Sequence, residues 1–203
     1  RIGGFGGVAG LRAWIVAEQV ALLVDASHPF AVRISAQASE ATRAVGCRYL
    51  RLARPGWQAA EGDDWHRVPD LAAGLDRLQR PGARRVFAAL GVRSVPQLAA
   101  APMQLVLRGI EPPATLPGNV IWLEGRGPFA VADESRLLAD QRIDAIFCRD
   151  SGGEGGRAKL DAARALRLPV VMIERPETPP DASVDDVRDA VNWIDRWLAT
   201  DVG

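Results

Sequence analysis

The stretch VALLVDASHPFAVRI, Val20 to Ile34, decides the fold. Val20 to Val24 form an apolar run with no polar alternation, which predicts a strand buried on both faces of a parallel sheet. Asp25 closes the strand, Ser27 or His28 is placed to cap a helix, and Pro29 suits its first position. Phe30, Ile34, Ala38, Ala41 and Val45 then recur at helical spacing. A strand therefore hands over to a helix through a polar corner. In an open α/β sheet such corners lie at the carboxyl edge, where ligands bind and helix amides face anions.

The pattern repeats outward from this point. Arg48 to Leu52 and Arg85 to Leu90 read as strands, Leu71, Leu75 and Leu78 as a helix stripe, and Gln104 to Arg108 as a further strand. Between Leu52 and Leu71 a long excursion carries Trp57, Trp65 and His66, whose indoles either wall a flat ligand or anchor the loop. Glu111 to Asn119, EPPATLPGN, packs three prolines into nine residues and predicts a stiff linker. The expected architecture is α/β, with two Rossmann-like parallel-sheet lobes over 1–110 and 119–203. In the second lobe, strands at Val120 to Leu123, Ile143 to Cys148 and Pro169 to Glu174 alternate with helices. A last helix is expected over Val184 to Ala199, capped by Ser183 or Asp181, with Val187, Val191, Ile194 and Leu198 facing one way.

Composition narrows the function. The 203 residues are 48% apolar, enough for a sizeable core, and 25 basic residues balance 25 acidic ones, so no net field points to nucleic acid. No apolar run approaches the roughly 18 residues of a membrane span, which predicts a cytoplasmic protein. Cys47, Cys148, His28 and His66 lack the spacing of a soft-metal site, and no metal is expected. The chain opens without methionine into RIGGFGG, as though a first βα unit preceded it. GFGGVA fits G-x-G-x-x-A through Gly4, Gly6 and Ala9, yet no strand comes before it, and a tight turn under a sheet explains it equally well.

Two corners carry the candidate chemistry. DSGGEGG, Asp150 to Gly156, lies between a strand and a helix, with Arg149 before it and Lys159 just after, a cluster suited to a phosphate or carboxylate. Asp25, Ser27 and His28 form the other; without a G-x-S-x-G elbow, a hydrolase using Ser27 or Ser151 is a distant third reading.

RIGGFGG, LLVDASHPFAVRISAQA, YLRLARPGW, RGPF and RDSGGEGGRAKLDAARALRLPVVMIERP, in that order, resemble the precorrin-6A reductases of cobalamin biosynthesis. The resemblance implies a monomeric enzyme that takes hydride from NADPH and saturates one double bond of a tetrapyrrole, precorrin-6A, to give precorrin-6B. It places Gly4, Gly6, Gly7, Ser27, His28 and Gly91 with the cofactor. Arg149, Ser151, Gly152, Gly153 and Lys159 fall with the carboxylate-rich substrate, and the two share a crevice between the lobes. The accompanying proton is expected from Asp25, His28 or water. A non-catalytic module for an anionic small molecule is the alternative. Where relatives carry T-T-G-R, this chain has Ala89, Leu90, Gly91 and Val92; Arg149 stands where lysine is common and Gly156 where threonine is.

Overall fold

The computed structural model describes residues 3–80, 82–177 and 182–201, with Asp201 described by its backbone alone. Every strand pairing in it is parallel, and the chain divides into two compact units. Unit 1 comprises Arg1–Pro55 and Pro176–Gly203, and unit 2 is Gly56–Arg175.

Unit 2 holds a six-stranded sheet. Its strands are β3 (Trp65–Val68), β4 (Arg85–Ala89), β5 (Gln104–Gly109), β6 (Val120–Glu124), β7 (Ala145–Arg149) and β8 (Val170–Ile173), in the spatial order β3-β8-β7-β4-β5-β6. Helices cover both faces, so the central strands read as continuous apolar runs. On one face Phe87, Val106, Ile146, Cys148 and Met172 pack with Leu138 of α5 (Val131–Asp140) and Leu160 of α6 (Ala158–Leu166). On the other, the buried Phe147 ring meets Gly74 of α3 (Leu71–Gln79), a helix started by the Asp70 carboxylate accepting the Ala73 N–H at 2.8 Å. Each large side chain buried in this core contributes about 1.5–3 kcal/mol relative to exposure.

The expected boundary at Glu111–Asn119 does not separate the units. β5 and β6, on either side of it, are hydrogen-bonded neighbours, with Leu105 opposite Val120 and Gly109 opposite Glu124. The prolines stiffen a surface crossover within one sheet, a role that asks the same composition of the chain as an interdomain linker does. The 1–110 and 119–203 division is replaced by one in which the chain leaves unit 1 after Pro55 and returns to it at Pro176.

Unit 1 pairs β1 (Leu22–Asp25), β2 (Arg48–Leu52) and the two-residue β9 (Ser183–Val184), in the order β1-β2-β9. On one face α1 (Gly7–Ala17) and α2 (Val32–Val45) bury Leu11, Ile15, Ala38 and Ala41, with Leu23 packed against them. Burial of β1 on both faces does not hold: Val24, next in the strand and therefore pointing the other way, is 42% exposed. The helix after it starts at Val32, not Pro29. Ser27 is taken by Asp25, and the His28 Nδ1 accepts the Phe30 N–H at 3.2 Å, so side-chain bonds hold residues 27–30 in a turn.

α7 (Val187–Asp201) ends the chain in unit 1, with the Asp186 carboxylate accepting the Asp189 N–H at 2.8 Å at its start. Ser183 lies in β9, and the alternative cap Asp181 is outside the described residues. Of the apolar stripe, Val187, Val191 and Leu198 are exposed and Ile194 is half-buried, while Ala190 is buried and Trp193 and Trp197 stack at 6.5 Å between ring centroids. Indoles a turn apart offer more apolar area than valines, and they set which face turns in. Among the described residues no helix is long and apolar enough to cross a membrane.

A methyl added at Gly74 lies 2.3 Å from the Phe147 ring. Gly74→Ala is expected to cost about 1–3 kcal/mol, read as a lowered urea midpoint with the denaturant slope unchanged.

Candidate functional site

In unit 2 the chain builds β4, β5 and β6 toward one edge of the sheet and then returns to add β7 on the other side of β4. The strand order therefore reverses between β4 and β7, where an open parallel sheet leaves a crevice outside its carboxyl ends. Gly91 follows β4 at that edge with φ +81°, and Arg149 ends β7. The Arg149 guanidinium donates to the Ser94 hydroxyl at 3.1 Å across the reversal. Gly152 and Gly153 take φ of +63° and +71°, turning the Asp150–Gly156 segment over the end of β7 before α6 begins. The Ser151 hydroxyl donates back to the Arg149 carbonyl at 3.4 Å.

Asp150 organises this edge. Its carboxylate is buried and accepts the Trp57 N–H at 3.0 Å and the Arg67 guanidinium at 2.9 Å, while Arg175 donates to its carbonyl at 3.0 Å. A Cβ on Gly56 would sit 2.8 Å from its Oδ2, so only glycine lets the backbone approach. The Trp57 indole N–H donates to the Gly153 carbonyl at 2.9 Å, fastening the glycine loop to the 53–64 excursion. Of the two readings of Trp57, loop anchor is the one its geometry fits. His66 lies elsewhere, its Nε2 3.0 Å from Asp64, beside a cavity of about 510 Å³ at the amino edge of the sheet that Arg77, Arg84 and Asp144 also line.

Between the ends of β4, β5 and β6 and the start of α6 lies a cavity of about 240 Å³ lined by Gly91, Arg108, Phe129, Glu134, Gly156 and Lys159, among others. Arg108 meets the Glu134 carboxylate at 2.5 Å and lays its guanidinium 3.4 Å from the centre of the Phe129 ring. The Lys159 ammonium donates to the Gly156 carbonyl at 2.5 Å and sits 4.7 Å from the centre of the Trp57 indole. Burial pushes Lys159 below the ordinary lysine pKa; Cys148 and Glu134 oppose the shift and Arg108 adds to it. The Cys148 thiol beneath is pushed up to about 11 by burial, which keeps it inert.

Unit 1 has its own corner at the end of β1. The Asp25 carboxylate accepts the Ser27 hydroxyl and backbone N–H, the latter at 2.9 Å, the Tyr49 hydroxyl at 2.7 Å and Arg51 at 3.4 Å. Burial alone would raise its pKa, but Ser27, then Ser35 and Tyr49, outweigh that and hold it below the ordinary value. Tyr49 is driven well above its own, by burial and then by the carboxylate. A cavity of about 550 Å³ runs from this corner along α1 and α2, lined by Gly4, Gly7, Leu23, Asp25, Ser27 and Ile34, among others. Gly6 caps α1 with φ +83° and no side-chain hydrogen bond. A Cβ on Gly4, Gly6 or Gly7 would meet open space. His28 is exposed and outside the lining.

The family model described as Precorrin-6x reductase CbiJ/CobK matches residues 1–195. The chain belongs to that family. It is 43% identical over 197 residues to a precorrin-6A reductase from Rhodococcus erythropolis, covering 96% of this chain and 79% of that protein. A cobalt-precorrin-6A reductase from Methanothermobacter thermautotrophicus is 29% identical over 190 residues, covering 83% of this chain and 59% of that one. The solved structure of a CobK precorrin-6A reductase superposes with a TM-score of 0.92 at 39% identity, over 97% of this chain and 79% of the other. Two parallel-sheet, Rossmann-like units are thus a property of this family member.

Set against the expected site, the geometry divides the residues by unit. Gly4, Gly7, Asp25 and Ser27 line one cavity in unit 1. Gly91, expected with them, lines the unit 2 cavity with Lys159. Arg149, Ser151, Gly152 and Gly153 gather at the strand reversal. The donors around Asp25 favour its ionised form. Arg108, Phe129 and Glu134 escaped the sequence reading. Glu134 falls in a helix of ordinary amphipathic pattern and Arg108 at a strand end, and RGPF was the only local signal near them.

Because the folded state lowers the Asp25 pKa, its ionised form stabilises the fold fully above the ordinary value of 3.8, and that contribution is lost as pH falls through the folded value. Asp25→Asn is expected to cost about 1–3 kcal/mol at neutral pH. In urea unfolding across pH, the gap between wild type and variant should close on acidification.

Proposed function

We propose that this protein reduces precorrin-6A with NADPH, adding a hydride and a proton across one double bond of the macrocycle to give precorrin-6B. The observation that carries the reading is the family match over nearly the whole chain, with 43% identity to a protein described as a precorrin-6A reductase. The weaker identity to the cobalt-precorrin relative favours the metal-free ring as substrate.

The unit 1 cavity fits a dinucleotide. Its glycine loop leaves the space of four missing Cβ atoms open, and α1 starts without a side-chain cap, so its first N–H groups remain for an anion. When bound, the reduced nicotinamide supplies the hydride. Gly4, Gly6 and Gly7 would let the diphosphate approach the backbone. Ser27 and His28, on the corner after β1, would border the ring end, and Asp25 would fix that corner. At the strand reversal of unit 2, Arg149, Ser151 and the amides of Gly152 and Gly153 would receive acetate and propionate groups of the substrate, with Arg149 as the bidentate partner. Gly91, without a side chain at this edge, would let the flat ring approach β4. The protein's own work is to bind and orient the cofactor and the macrocycle.

Mixing the protein with NADPH and precorrin-6A should consume NADPH one for one with a product two hydrogen atoms heavier, and NADPH should be stable without the macrocycle. Failure to consume it with authentic substrate overturns the reading. Tight macrocycle binding without turnover would identify a binding module instead. Arg149→Ala should raise KM about tenfold or more with a smaller effect on kcat, as expected for lost substrate anchoring.

A further inference from the structure

The cavity of about 510 Å³ at the amino edge of the unit 2 sheet has no part in the reading above. It lies where β3, β8, β7 and β4, four neighbours in the sheet, begin, and the last turn of α3 closes one side. Leu78, Ala145, Pro169 and Val171 give it an apolar floor. Four charged side chains line it, and they are unequally occupied. The acids are spent: Asp144 Oδ2 accepts the Arg84 and Arg85 N–H groups at 2.9 and 2.8 Å, and Asp64 lies 3.0 Å from His66 Nε2. The Leu78 and Gln79 carbonyls at the end of α3 are taken too, by the Ala83 and Gly82 N–H groups. The cations are not. Arg77 Nη2 meets only the His66 ring, 3.1 Å from Nδ1 and 3.0 Å from Nε2, and the Arg84 guanidinium has no hydrogen-bond or ion-pair partner among the described residues.

We propose that this cavity is a second ligand site, for a small organic carboxylate, with Arg84 and Arg77 holding the anion and Leu78, Pro169 and Val171 receiving its apolar body. Each guanidinium carries five N–H donors in a planar fork that matches a carboxylate, and here most of those donors are unused. A cavity of this size with an apolar floor and a few convergent polar groups is the usual form of a small-molecule site. The floor selects among anions, since a bare inorganic ion would leave it in contact with water. The site is separate from the glycine-loop edge. β7 starts at Ala145 in this lining and ends at Arg149, so the two sites stand one strand length apart, about 13 Å. Every residue in the lining belongs to unit 2, and the binding needs neither cofactor nor turnover.

Two histidines make the test direct. Protein labelled with ¹³Cε1-histidine gives one line from His66 in the cavity and one from His28, exposed in unit 1, as an internal reference. The His66 line is identified by its loss in His66→Gln. Benzoate, a carboxylate on a compact apolar ring, should shift the His66 line saturably with Kd of about 1 mM or tighter and leave His28 unmoved. Benzamide, which keeps the ring without the charge, and inorganic phosphate, which keeps charge without the ring, should each bind about tenfold or more weakly. Arg84 is exposed and bonded through its backbone alone, so Arg84→Ala should keep the wild-type circular dichroism while weakening benzoate about tenfold. Arg77→Ala should weaken it similarly, with Arg84→Lys intermediate. No saturable shift of His66, equal shifts of His28 and His66, undiminished benzoate binding in Arg84→Ala, or phosphate or benzamide binding as tightly as benzoate overturns the proposal. The reductase reading stands or falls by turnover and is untouched by any of these outcomes.

Discussion

The architecture of unit 2 turns on one buried carboxylate. Asp150 is 3% exposed, and a charge so placed is tolerable only when its oxygens are filled by well-directed donors. Here they come from the Trp57 N–H and Arg67, with the Arg175 side chain at 3.8 Å from Oδ1. These partners are remote in sequence but share a topological role. Gly56 and Trp57 begin the segment that forms unit 2, and Arg175 ends it. The residue that closes β7 thus ties together the places where the chain arrives and departs, and the same loop carries the glycines of the site. Removing the carboxylate would leave Arg67 without its acid and the Trp57 N–H without its acceptor.

Unit 1 uses a related device at smaller scale. Asp25 closes β1 as Asp150 follows β7, and each is held by an arginine and a backbone N–H. At both strand ends a carboxylate is held by well-directed donors, and rigid corners result.

Much of this was legible in the chain itself, because most elements are governed by local pattern. The runs RVFAAL and PVVMIE give β4 and β8 with shifts of one residue at their ends, and the stripe of Leu71, Leu75 and Leu78 gives α3. What sequence could not give was partnership. β9 has two residues, too few for any periodicity, and yet Ser183 and Val184 beside Arg51 and Leu52 are what return the chain to unit 1. The prolines at 111–119 mark stiffness without saying whether a strand pair or a boundary lies beyond. In α7, two apolar faces compete, and only the neighbouring β2 decides for Trp193 and Trp197 over Val187 and Val191. The site divides likewise: glycines and strand-end acids announce themselves, whereas Glu134 acquires meaning only when Arg108, 26 residues away, meets it.

The Arg108–Glu134 pair also bears on why the unit 2 cavity is polar at all. Desolvating two ions inside a protein costs several kcal/mol each, and their mutual attraction returns that only with full hydrogen bonding. Glu134 Oε2 lacks its share, so the pair is a poor device for stability, and apolar residues of similar volume would fill the space more cheaply. Its electrostatic effect is more specific. Arg108 and Glu134 cancel at a distance but act unequally on a third charge close by, the carboxylate favouring the ammonium of Lys159 and the guanidinium disfavouring it. Packed on Phe129, the guanidinium is held in place between those opposed influences.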